Sequence, residues 1–169
     1  MLPVLQASLE QIETKKSEIV HMANLSIQSV STEASAGNHW SAAQVIEHLV
    51  MLEELLLKGH KKVIASEKTL TPGPKGKIFV SVIGFMNRAK LRFGTTPDLK
   101  PQGSIDLDTR LKDWYAIRET LTSDIDKIQA SNLTAPYTIH PIAGPLDAES
   151  TLKLISQHID YHIRNFPKA

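Results

Sequence analysis

The 169-residue chain carries 19 Lys and Arg against 18 Asp and Glu, a formal charge of +1, and contains no cysteine. A balanced charge with no long like-charged block offers no footprint for a phosphate backbone, so no nucleic-acid partner is expected. The missing thiol excludes disulfides, thiolate metal sites and a cysteine nucleophile together, leaving histidine and carboxylates as the plausible metal ligands.

A chain of this length reads as a single domain over 1–169, able to bury roughly 70% of the surface its unfolded form exposes. Its first residues, MLPVLQASLEQ, lack the basic and unbroken apolar regions of a secretory signal. The best apolar run, IFVSVIGFM, is less than half a membrane span. No membrane segment and a cytoplasmic location are therefore expected.

From Val4 to about Ile27, the residues Leu5, Leu9, Ile12, Ile19, Met22 and Ala23 recur at helical spacing and predict an amphipathic first helix. The polar loop STEASAGN follows. Ser41, with Gln44 three residues on, forms a capping-box pattern that opens a second helix reaching about Ala65.

A long connection spans residues 67–107, with ends rich in Pro and Gly. Its middle, KIFVSVIGFMNRAKLRF, fits a short helix or a strand by period alone; helix is expected from the helical propensity of NRAKLR and the helical surroundings. Phe79, Phe85 and Phe93, three of the four phenylalanines, fall here. Ordinary core is the plainer reading, beside a lid or a subunit contact. A third helix is predicted from about Thr109 to Ala130, where Leu111, Trp114, Ile117, Leu121, Ile125 and Ile128 alternate by three and four. The turn-rich TIHPIAGPLD leads to a fourth helix, from near Asp147 to before Pro167. Four long helices, no convincing strand pair and no internal repeat predict an all-α four-helix bundle.

Seven histidines punctuate these elements. His158 and His162 are four apart, so a helix stacks them about 6 Å apart on one face, beside Ile155, Ile159 and Ile163. Spacing alone leaves a structural pair and a metal site both open. His48 lies on the inner side of the second helix, among Val45, Leu49 and Leu52. All three become level if the second and fourth helices are antiparallel, whereas an up-down-up-down bundle would offset them by roughly 10 Å. The long connection can carry the chain back across the bundle, which predicts an up-down-down-up order with the crossover between helices two and three. His21 beside the first apolar face, His39 in the loop before Trp40, and His60 in the basic GHKK stretch read as structural, with His60 on a solvated face. His140, in the HPIAGP loop, fits either a loop role or a place overhanging the site.

The pattern W-S-x-x-x-x-x-E-H-L from Trp40 to Leu49, followed near the C-terminus by HPIAGPLDAESTLKLISQHIDYHIRNF, resembles the DinB-like superfamily of metal-binding four-helix bundles. That superfamily includes bacillithiol and mycothiol S-transferases. The resemblance implies a three-histidine site at His48, His158 and His162, a divalent ion, nickel or zinc, and a homodimer. Asn165 departs from the pattern, in which Gln tends to follow the second histidine of the pair.

Three neutral imidazoles leave a divalent ion its full charge and an open position, the arrangement of catalytic rather than structural sites. Such an ion promotes ionisation of a water, for hydrolysis, or of a small thiol, for attack on an electrophile. In a chain without cysteine, the thiol must come as a cosubstrate. The expected activity is thiol S-transfer, with a metal-dependent hydrolase and a non-catalytic bundle with a structural or absent metal as alternatives. Glu47 and Asp160 adjoin the ligands in sequence, but offsets of one or two residues rotate them away from the site by about 100° or 200°. Trp40 and Tyr161 fit pocket walls or packing, and no general base can be assigned.

Overall fold

The computed structural model describes residues 1–29, 40–67, 69–91, 96–102 and 106–166. The predicted loop at 31–38, His39 and Phe93 lie outside the described residues. Most of the rest is helical: α1 (Pro3–Ser29), α2 (Ala42–Ile64), α3 (Pro74–Arg88), α4 (Leu107–Asp126) and α5 (Ala148–Arg164).

The local signals act as chemistry requires. The Ser41 hydroxyl accepts from the Gln44 N–H at 3.2 Å, and the Gln44 side-chain oxygen accepts from the Ser41 N–H at 2.9 Å. This capping box starts α2 at one defined residue and so fixes the level of everything along it. Asp106 and Asp147 cap α4 and α5 in the same way, accepting from the N–H groups of Thr109 and Ser150. The third predicted helix stops at Asp126 rather than Ala130. There the Ile128 N–H turns to the Ile125 carbonyl, and a short 3₁₀ turn follows at Ala130–Asn132.

The periodic apolar residues form the core. Leu5, Ile12 and Ile19 of α1, Ile46 and Leu49 of α2, Trp114, Leu121 and Ile125 of α4, and Leu152, Ile155 and Ile159 of α5 are fully buried. Polar contacts set the register. Lys15 reaches Ser156 at 2.7 Å and Asp160 at 2.6 Å, tying α1 to α5. The terminal amino group meets Asp126, and Glu13 lies 3.6 Å from Arg118, tying α1 to α4. Between α2 and α4, Glu47 faces Arg110, Glu53 faces Arg118 and His60 faces Asp124.

Two features correct the sequence reading. The segment around TIHPIAGPL contains a strand pair: β1 (Thr138–His140) and β2 (Gly144–Leu146) pair antiparallel, with His140 opposite Gly144. Strands of three residues are too short for a period of two to show, and Pro141 and Pro145 argue against a strand. Pro141 falls in the turn between the strands, and Pro145 is tolerated because each strand of a two-stranded ribbon is an edge. The return needs a positive φ, and Gly144 supplies it at +77°. The second correction concerns His60, which is not on a solvated face. Its ring stacks on Tyr137 at 4.1 Å, with Nδ1 2.6 Å from the Tyr137 carbonyl and Nε2 3.4 Å from Asp124. It ties the approach to the hairpin to both α2 and α4.

Candidate metal centre

The capping box places His48 in the second turn of α2, while His158 and His162 occupy the last turns of α5. Their rings meet where the start of α2 lies against the end of α5. At the far end, the Thr138 hydroxyl donates to the Leu56 carbonyl of α2 at 2.6 Å, and the hairpin it belongs to leads directly into α5.

The three imidazoles converge through Nε2. His158 Nε2 lies 3.1 Å from His48 Nε2 and 3.2 Å from His162 Nε2. Among the described residues, these histidines form the group whose ligand atoms lie close enough together, within 4.8 Å, to share one ion. His48 and His162 are buried and His158 is part-exposed. Two nitrogens at the observed separations subtend about 100° at an ion held 2.0–2.1 Å from each, near the tetrahedral angle favoured by zinc. The donor set and the two spacings to His158 therefore fit a divalent ion.

The electrostatics favour lone pairs over protons. Burial lowers the His48 imidazole below its ordinary range, against the opposing effect of its bond to Leu99. Burial, then the neighbouring His162, His48 and His140, pushes His158 well below it. Burial, with His48 beside it, brings His162 down to about 3. All three are neutral at pH 7.

Hydrogen bonding orients one of the three rings firmly. His48 Nδ1–H donates to the Leu99 carbonyl at 2.7 Å, which leaves its Nε2 lone pair facing the other two rings. His158 Nδ1 is buried and has no hydrogen-bond partner. The cluster is not closed on itself in the way a purely structural polar network is.

Trp40, the residue before the α2 cap, stacks nearly parallel on His162 at 6.0 Å and leans on His48 at 4.7 Å, so it walls the site. Tyr161 meets the His162 ring edge-on at 5.1 Å. Glu47 and Asp160 face away, toward Arg110 and Lys15. Asn165 also lies outside the site: its amide donates to the Tyr161 carbonyl at the end of α5. His140 is not a member of the triad. Its Nδ1 accepts from the N–H groups of Ile142 and Ala143, Phe79 covers its ring at 5.0 Å, and burial lowers its pKa. It is nonetheless close enough to depress His158. His21 is exposed on α1. The contact that sequence reasoning missed is the Leu99 carbonyl, a backbone group 51 residues from His48 that no side-chain pattern announces.

No curated protein and no solved structure matches this chain. A family model described as the DinB superfamily matches residues 17–165, a span that contains all three histidines, Trp40 and the hairpin. The chain belongs to the DinB superfamily.

Proposed function

We propose that this protein is a divalent-metal enzyme that transfers a small thiol to an electrophile, with nickel or zinc held by His48, His158 and His162. The observation that carries the reading is the convergence of three neutral imidazole nitrogens, two of the rings buried, in a chain without cysteine. When bound, the ion supplies an uncompensated positive charge that favours the anionic form of a nucleophile. The chain's own part is to keep protons off the ligands by burial, to aim His48 through the Leu99 carbonyl, and to cover two of the rings with Trp40. A thiol nucleophile has to arrive as cosubstrate, which suits the reducing conditions of a cytoplasm.

We also read the helices as an up-down-down-up bundle of α1, α2, α4 and α5, with α3 in the crossover. The pairs Gln11–Ser156 and Lys15–Asp160 support a parallel α1 and α5. The pairs Glu47–Arg110, Glu53–Arg118 and His60–Asp124 support a parallel α2 and α4.

The test is turnover of a model electrophile, a bimane or a chlorinated aromatic, by the metal-loaded protein with a panel of cysteine-derived thiols. The expected rate above background requires thiol, saturates with it and disappears in His158→Ala. Cleavage of esters or amides without thiol would replace this reading with a hydrolase. Stoichiometric metal with neither reaction over a broad panel would favour a structural ion.

A further inference from the structure

Helix α3 carries apolar residues on its outer as well as its inner side. Its buried residues are Gly76, Val80, Gly84 and Asn87, small or polar, and they let it lie close against the hairpin and α5. A Cβ on Gly84 would fall 2.5 Å from the Gln157 side chain. Phe79 and Ile83 pack against the core, but three other bulky apolar side chains point outward: Ile78 is 61% exposed, Val82 47% and Phe85 60%. Spaced by four and three, they form one stripe on the helix surface. At 100° per residue, Lys75 falls on one side of that stripe and Lys77 and Arg88 on the other, and all three are exposed.

The charge of this segment of the sequence is one-sided. From residue 68 to 97 the sequence has six Lys and Arg and no Asp or Glu, so this stretch carries +6 and the rest of the +1 chain carries −5. A second copy of α3 makes a poor cover for the stripe: basic flanks would face basic flanks, with no acid in the segment to separate them. The ridge is convex, with an apolar centre and cations on both edges, as in helices that lie in a lipid interface with apolar residues among the acyl chains and Lys or Arg at headgroup level.

We infer that the outer face of α3, with Ile78, Val82 and Phe85 flanked by Lys75, Lys77 and Arg88, is a peripheral docking surface for a membrane bearing anionic lipid. The protein lies on such a surface; no helix among the described residues is long and apolar enough to cross one. The inference uses none of the metal ligands and stands or falls independently of the proposed chemistry.

The experiment is co-sedimentation of the full chain with phosphatidylcholine vesicles, with and without about one third phosphatidylserine, an anionic lipid of the kind basic helices bind. The wild type is expected to sediment with the anionic vesicles, to ignore the neutral ones, and to release at roughly 0.5 M salt, where surface charges are screened. Two double variants, Val82→Ser with Phe85→Ser and Lys75→Glu with Lys77→Glu, should each bind at least about tenfold more weakly. Their circular dichroism should match the wild type, because the altered side chains are exposed. Absence of binding to anionic vesicles, equal binding to neutral ones, or wild-type binding by both variants would each overturn the proposal. So would a wild-type dimer that the Val82, Phe85 pair of substitutions splits into monomers while no vesicle is bound, since the face would then belong to a second copy.

Discussion

Two polar clusters lie within the helical packing, and they solve the problem of buried polarity in opposite ways. Between α1, α2 and α4, Arg118 pairs with Glu53 at 2.7 Å, and Glu13 lies 3.6 Å from Arg118 and 3.5 Å from Lys16. The Lys16 ammonium also sits 4.0 Å from the centre of the Tyr115 ring. Two cations answer two anions, so the cluster is balanced in charge, although Glu53 Oε2 and Arg118 Nε and Nη1 have no hydrogen-bond partner. Burial still pushes the Glu53 carboxyl up and the Lys16 amine down, each held back by its partners. Between α2 and α5, three bases of the same kind meet with no opposite charge among them and one buried nitrogen unpartnered. The first cluster is neutral by pairing and the second by refusing protons, which leaves the second with lone pairs that a cation from outside could use.

The comparison breaks most sharply at Glu53. Glu53→Gln leaves Arg118, 4% exposed, and Lys16, 3% exposed, short of an anion. Breaking a buried pair from one side costs about 3–5 kcal/mol. Urea denaturation at neutral pH should show that loss with metal binding affinity unchanged; a loss below about 1 kcal/mol, the value of an exposed pair, would mean that the pair is solvated.

At the other cluster, the effect should fall on the metal instead of the fold. His48→Ala, His158→Ala and His162→Ala should each lower metal affinity by at least about 100-fold, the upper end of the loss caused by removing an outer-sphere partner. His60→Ala should leave affinity alone, because that ring serves Tyr137 and Asp124. The metal-free variants should keep their helical signal, since α2 and α5 retain their apolar faces. Elemental analysis and equilibrium dialysis decide it, and wild-type metal content in all three ligand variants would remove the site.

Acid should give the most graded contrast. The folded-state pKa values of His48, His158 and His162 are depressed, so below about pH 6.5 the unfolded chain binds protons that the folded chain refuses. Stability contributed by these groups is full above the unfolded value and is lost as pH falls toward the folded ones, by about 1.4 kcal/mol per pH unit for each histidine kept neutral. Urea midpoints of metal-free protein from about pH 7 to 5, where the unfolded histidines titrate, should fall more steeply in the wild type than in a variant with all three histidines replaced by alanine. Equal slopes would contradict the depressed values. Metal should be released over the same acid range, because protons compete for the same lone pairs.

The amphipathic helices, the Ser41 capping box and the level of His48 relative to His158 and His162 were all legible, because each depends on spacing along a helix of known pitch. His60 was misread for the same reason. A basic run such as GHKK looks solvated when only its own helix is considered, whereas the partners that bury this ring, Asp124 and the Tyr137 carbonyl, lie more than 60 residues away. The short hairpin was hidden by its length and by its two prolines, and only its packing on α2 and α3 makes it stable.

The sequence alone determined which faces of the long helices would be apolar and which histidines could share a level, since periodicity and capping are local properties of the chain. It also determined that any thiol must come from outside, by containing no cysteine. Tertiary structure decided what those histidines experience. Convergence of three Nε2 atoms, selection of the His48 tautomer by the Leu99 carbonyl, and the fall of the pKa values all require groups from α2, α5 and the crossover to exclude water together. It also decided that α3 turns its small residues inward, because close approach to α5 and the hairpin depends on what those elements present. Burial and electrostatics are sums over neighbours in space, and a linear chain does not name its neighbours until it has folded.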